Sequence, residues 1–188
     1  WDGALAALFG QGGFEAPAVR LPPEDVLAVF AFMLLVAVNE EVLVRGYPLQ
    51  LLVRALGPGA AVLVTSAAFG LLHWTGDPWN AATVALDTGA SGALFALAYL
   101  KTRTLWLAIG MHFSNNFVLF LIENPSLEAI NRIPPDQSQA AFAAWWLVNL
   151  PVYALAFWAL WRWRYRPHPD AERAYRRWVA PEADPPRA

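Results

Sequence analysis

The stretch VLAVFAFMLLVAVNEEVLV, residues Val26–Val44, decides the reading of this chain. Fourteen residues without a formal charge separate Asp25 from Glu40, most of them Val, Leu, Phe or Ala, and two adjacent carboxylates follow. The pattern recurs downstream. Uncharged runs of twenty-two residues lie between Arg54 and Asp77, nineteen between Arg103 and Glu123, and twenty-five between Asp136 and Arg162, while Trp79–Leu100 carries only Asp87. The hydrocarbon core of a bilayer takes about 20 mainly apolar residues per helix. The expected fold class is therefore all-α: a polytopic transmembrane helical bundle with spans at Val26–Val44, Pro58–Thr75, Trp79–Leu100, Thr104–Ile122 and Ala140–Trp161, five in this fragment.

Composition agrees. The 188 residues are 57% hydrophobic and 15% charged, against about 25% charged in soluble domains, and the mean hydropathy is +0.36. Ten Trp exclude disorder over most of the length. The lack of Cys excludes thiol catalysis, a disulfide scaffold and Cys-ligated metal. A net charge of −2 offers no basic surface for nucleic acid. Pro58, Pro78, Pro125, Pro134 and Pro135 fall between spans, and Pro48 and Pro151 predict a bend or a helix end. Trp74, Trp79, Trp106, Trp161 and Trp163 lie near span ends, as an aromatic belt does. Gly89, Ser91 and Gly92 allow a neighbouring helix to approach closely.

The expected organisation is an extramembrane N-terminal loop over 1–25, an intramembrane core over 26–163 and a basic tail over 164–188 with a short helix near Asp170–Trp178. Alternate loops put Arg45, Arg54, Lys101, Arg103 and the tail arginines on one side, eleven of the thirteen Lys and Arg, with Arg20 and Arg132 opposite. The positive-inside rule then makes the C-terminus cytoplasmic. The expected location is a bacterial plasma membrane, since a single lysine, Lys101, with abundant Ala and Arg fits a high-GC genome. The start at Trp1 is that expected of a piece of a longer protein.

Ionisable groups within a span are costly unless paired or facing a wet cavity. Glu40, Glu41 and Arg45 close the first span, His73 closes the second, Asp87 lies in the third, and His112, Asn115 and Asn116 lie in the fourth. Of the three His, only His168 is outside this set. Glu41 and Arg45 are four apart with the acid first, which favours a salt bridge, and Glu40 projects about 100° away. Phe69 and His73 share a face, as do His112 and Asn116. By these boundaries His73, His112 and Glu40 differ in depth by on the order of 15 Å. A first helix continuing through Val44 to Leu52 would bring Glu40 nearer its middle.

The chemistry of such a set is hydrolytic. A carboxylate beside an imidazole deprotonates a water and returns the proton to a leaving amine. A second His with an Asn amide donates hydrogen bonds to an oxyanion. A metal reading stays open, with Glu40, His73 and His112 as ligands of a divalent ion such as Zn2+, although H-E-x-x-H is absent. The cofactor expectation is thus none, or a divalent metal.

Glu40-Glu41-Val-Leu-Val-Arg45 resembles the E-E-x-x-x-R motif of the type II CAAX prenyl endopeptidases, also called the CAAX protease and bacteriocin-processing (Abi) family of intramembrane proteases. Phe69-Gly-Leu-Leu-His73 resembles their F-x-x-x-H motif, and His112-Phe-Ser-Asn-Asn116 their H-x-x-x-N motif. The motifs come in the family's order on separate apolar segments. The resemblance implies an endopeptidase with its site inside the bilayer and a peptide or protein substrate, prenylated in the eukaryotic members. Some bacterial members are implicated in bacteriocin maturation or self-immunity. By motif, Glu40 and His73 would activate water, His112 and Asn116 would hold the oxyanion, and Glu41 and Arg45 would support them. The family is often labelled a metalloprotease, and its usual chain has more helices than these five.

Two other classes stay open. One is a proton or cation transporter subunit with a relay through Glu40, Asp87 and the His pair, against which the lack of an internal repeat weighs. The other is a non-proteolytic membrane scaffold or immunity protein. Asp87 matches no motif and is expected to be structural or cavity-lining.

Overall fold

The computed structural model describes residues 23–74, 78–123 and 135–179. Every regular element among them is an α-helix: α1 Pro23–Val44, α2 Pro48–Leu56, α3 Pro58–Leu71, α4 Pro78–Thr102, α5 Trp106–Glu123, α6 Pro135–Arg162 and α7 Pro169–Val179. All but α5 begin on proline. The first turn of a helix has no internal use for an N–H, and the fixed proline φ suits it.

Pro48 ends α1. It lacks an N–H, and its ring excludes a helical carbonyl four residues back, at Val44, where α1 stops. The chain turns through Arg45–Tyr47, and the Gln50 side-chain amide donates to the freed Gly46 carbonyl at 2.7 Å. At the far end of α2, Gly57 adopts φ 82° and ψ 166°, a region in effect open only to glycine. The amphipathic α2 buries Leu49 and Val53 against Ala61, Ala96 and Tyr99. Pro151, in contrast, lies inside α6, which continues through it.

α4 is the hub and packs on α3, α5 and α6. α3 crosses it so closely that a Cβ on Gly70 would strike the Ala85 carbonyl, and one on Gly89 would lie 3.2 Å from the Ser66 carbonyl. This is the approach anticipated around Gly89–Gly92. On the other side Tyr153 of α6 donates to Asp87 Oδ1 at 2.8 Å, with Ser91 Oγ 2.9 Å from the same hydroxyl. Asp87 is thus tied into a helix–helix contact. The contacts Asp87–Tyr153 and Lys101–Trp161 make α4 and α6 parallel, whereas Ser66–Gly89 and Ala61–Ala96 make α3 and α4 antiparallel.

The last turns of α4 and α6 meet at one end, where Lys101 Nζ donates to the Trp161 carbonyl. α7 lies across this end on α2. Arg103, at φ 60°, donates to Glu172 at 3.1 Å and stands 3.7 Å over the Tyr175 ring. Of the cations that the sequence count puts on one side, Lys101, Arg103 and Arg162 meet at this end, whereas Arg45 is buried against Gly92.

The distribution of polarity is inverted relative to a soluble domain. Glu41, Arg45, Ser66, Asn80, Ser91 and His112 are buried, while Leu27, Phe32, Leu35, Leu63, Leu72, Trp106, Leu147 and Trp161 are all at least 60% exposed. Soluble monomers rarely expose apolar patches beyond a few hundred Å2, and lipid-facing helices do so throughout. Among the described residues two segments, Val26–Leu56 and Pro78–Thr102, are long and apolar enough to cross a bilayer. Together these features fit a helical membrane protein.

Two expectations change. The second segment stops at Leu71, not Thr75, and its 14 residues reach only about 21 Å, short of a hydrocarbon core of about 30 Å. The chain after Val44 forms a separate helix, α2. The expected N-terminal loop, apart from the start of α1, together with Thr75, Arg20, Arg132 and Arg187, lies outside the described residues.

Candidate active site

The site grows from the last turn of α1. Successive residues of a helix diverge by about 100°, so of the two adjacent acids one turns fully inward and the other stays at the edge. Glu41 is fully buried, and Glu40 retains 29% side-chain exposure. Arg45, in the turn before Pro48, is also fully buried. Its Nη1 donates to Glu41 Oε1 at 2.8 Å and its Nη2 to the Gly92 carbonyl of α4 at 2.7 Å. The guanidinium lies 4.8 Å from the Phe69 ring centroid and 5.6 Å from that of Phe95. Flat rings on a delocalised cation give favourable cation–π contact. Gly92 has no side chain to obstruct this, since a Cβ there would lie 3.0 Å from Arg45 Nη2 and 3.1 Å from Phe69 Cδ1.

His112 reaches in from α5. Its Nδ1 lies 2.9 Å from Glu41 Oε1, and its Nε2 lies 3.7 Å from Glu40 Oε2. The ring stacks on Phe95 at 5.0 Å and 15°, with the Phe69 ring edge-on at 6.0 Å. Glu41 is already an acceptor for Arg45, so an Nδ1–H on His112 donates to it, which fixes the tautomer and turns Nε2 toward Glu40. The 3.7 Å gap is too long for a direct hydrogen bond, and one water bonded to both groups can bridge it. Glu40 Oε2 and Glu41 Oε2 are buried acceptors without a hydrogen-bond partner among the described residues.

His73 stands in the turn after α3. Its Nδ1 lies 2.7 Å from the Phe69 carbonyl, so Nδ1–H donates there and Nε2 is left as an acceptor. Its ring meets the same Phe69 at 4.9 Å. The two imidazoles therefore flank one aromatic ring. Asn116 is half-buried on α5, one turn beyond His112.

The structure thus brings Glu40, Glu41, Arg45 and His112 into one cluster, sets His73 one ring away and leaves Asn116 on the same helix as His112. The expected pairing of Glu40 with His73 differs from what is seen: Glu40 is within ion-pair reach of His112 and not of His73. The depth mismatch expected from the span boundaries is reduced: His73 and His112 meet the same Phe69 ring, and Glu40 lies 3.7 Å from His112. As for a metal, among the described residues no three His, Asp or Glu side chains are grouped to hold one. The carbonyl on His73 Nδ1 leaves Nε2 as a ligand nitrogen, but with His73 out of ion-pair reach of Glu40 the set Glu40, His73 and His112 is not drawn together as a ligand triad.

Phe95 is a site residue that the sequence left unmarked. It matches no motif, and only the packing of α4 on α5 reveals it. Gly92 and Phe69 carried signals, one as a small residue and one as the first letter of a motif.

A family model described as type II CAAX prenyl endopeptidase Rce1-like matches residues 22–118, which contain every residue of this cluster. No curated protein and no solved structure matches the chain. The match covers just over half of the sequence and all three motifs, and on that ground the chain belongs to the Rce1-like type II CAAX prenyl endopeptidases, a family of membrane proteases.

Proposed function

We propose that this chain is a five-span intramembrane endopeptidase, with its C-terminus in the cytoplasm, that hydrolyses a peptide bond by water activation. The observation that carries the reading is the Glu41–His112 hydrogen bond at 2.9 Å, which aims Nε2 at Glu40 within a buried cluster. Glu40 takes the proton from a water held between its carboxylate and the imidazoles, with His73 Nε2 as a second acceptor. The hydroxide adds to the scissile carbonyl. His112, which for this role takes a second proton at Nε2 from solvent before the reaction, and the Asn116 amide stabilise the oxyanion, and the proton on Glu40 passes to the leaving amine. Glu41 and Arg45 do not touch the reacting atoms. They hold the His112 ring and neutralise part of the local charge.

The experiment is cleavage of prenylated and unprenylated peptides by the purified chain in nanodiscs. Glu40→Gln and His112→Ala are expected to lower kcat by about 10²–10⁴, and Asn116→Ala by about 10²–10³, with helicity unchanged. Full activity in Glu40→Gln would overturn the mechanism. Activity that persists under chelator is expected, and a loss that zinc restores would instead assign a metal.

A further inference from the structure

Beyond the Asp87–Tyr153 contact, the last turns of α4 and α6 flank an open groove of about 490 Å3. Leu97 and Leu100 of α4 and Phe157 and Leu160 of α6 line it, with Lys101 and Trp161 at the rim. None of the active-site cluster lines it. Lys101 Nζ donates one hydrogen to the Trp161 carbonyl at 3.1 Å, which anchors the ammonium at the rim and leaves two N–H groups for another acceptor. Trp161 is 82% exposed, as a belt residue is at the membrane surface. Arg162 follows it in the last turn of α6, with exposed Arg164 and Arg166 beyond. Among the described residues neither Lys101 nor Arg162 is in an ion pair, whereas Arg103, Arg173 and Arg176 all are.

An apolar groove ending in uncompensated cations selects its occupant. A peptide backbone laid there would find only the Lys101 ammonium and the indole N–H groups of Trp158 and Trp161 among the side chains, all donors, which leaves its own N–H groups without an acceptor side chain. A free anion would make no use of the apolar walls, and a neutral lipid would leave the cations unanswered. We propose that this groove binds an anionic glycerophospholipid of the bilayer, one acyl chain lying along Leu97, Leu100, Phe157 and Leu160 and the headgroup phosphate meeting Lys101 and Arg162. The site is separate from the proteolytic cluster and does not depend on it.

The test is native mass spectrometry of the full chain released from detergent after titration with phosphatidylglycerol or phosphatidylcholine of identical acyl chains. The wild-type chain is expected to retain one phosphatidylglycerol, preferred about fivefold or more over phosphatidylcholine, since one cation near an anionic headgroup supplies about that factor. Lys101→Gln should cut the preference about fivefold without changing phosphatidylcholine retention, and Lys101→Arg should restore it. Leu97→Trp, which fills the groove, should lower retention of both lipids. Equal retention of the two lipids by the wild type overturns the proposal, and so does a preference that survives both Lys101→Gln and Leu97→Trp. The wild-type comparison needs no substitution and decides the matter even where a variant fails to fold.

Discussion

At the scale of single residues, one buried carboxylate holds two partners. Glu41 Oε1 accepts from Arg45 and faces His112 Nδ1, so its removal leaves a buried guanidinium with no hydrogen-bonded carboxylate. Breaking a buried pair from one side costs about 3–5 kcal/mol. Glu41→Ala is therefore expected to lower the unfolding free energy by that order, read from equilibrium unfolding in mixed micelles, and to lower cleavage as well. A loss under about 1 kcal/mol would mean that Arg45 is solvated in the native state, contrary to its burial. Arg45→Lys tests geometry rather than charge. An ammonium has no planar fork with which to bond Glu41 and Gly92 together while lying on Phe69 and Phe95. Cleavage should fall at least about tenfold while most of the stability remains.

Breaks and close crossings matter at the level of elements. Pro48 separates α1 from α2, and Arg45 enters the site because the helix stops there. In Pro48→Ala, the N–H of residue 48 can bond the Val44 carbonyl and join the two helices. The expected result is a small gain in far-UV helicity with reduced cleavage, and unchanged activity would show that the turn is not needed to seat Arg45. The crossing of α3 on α4 at Gly70 leaves no room for a larger residue. Gly70→Leu should force the helices apart, at a cost of about 1–3 kcal/mol, and move Phe69 and His73 with α3. Cleavage would then be lost more steeply than stability, a difference that parallel unfolding and activity measurements would reveal.

For the molecule as a whole, the strap formed by α7 ties the tail to the core. Burial alone would raise the Glu172 carboxyl, but hydrogen bonds from Arg103 and Arg176, with their charges, hold it below the ordinary glutamate value. A carboxyl depressed in the folded state contributes stability that is fully present above its unfolded value of about 4.3. That contribution is lost as the pH falls through the lower folded value. The α7 contact should thus hold at neutral pH and loosen only in acid, below the ordinary glutamate range. Arg103→Ala should loosen it at every pH. Fluorescence of Trp178, which packs edge-on to Tyr47 at 6.0 Å, reports the contact, and a transition centred above the ordinary glutamate value would contradict this account.

How much was legible follows from what each feature depends on. Hydropathy is a local property, so the uncharged runs in the sequence were enough to indicate long apolar helices and to locate α1, α4 and α5 to within three residues and α6 to within five. Proline lacks an N–H wherever it stands, and so marked helix starts. The motif residues were legible as polar groups with no reason to lie in apolar helices, and Glu41 with Arg45 as a pair by spacing alone. Other features depend on distances between segments remote in sequence. Only the tertiary structure decided that His112 meets Glu41 and Glu40, that His73 lies behind Phe69, that Phe95 backs the imidazole, and that Asp87 bonds Tyr153. The short α3 and the separate α2 belong with these, because a helix that stops part-way is held by its neighbours, and its own apolar pattern does not record the stop.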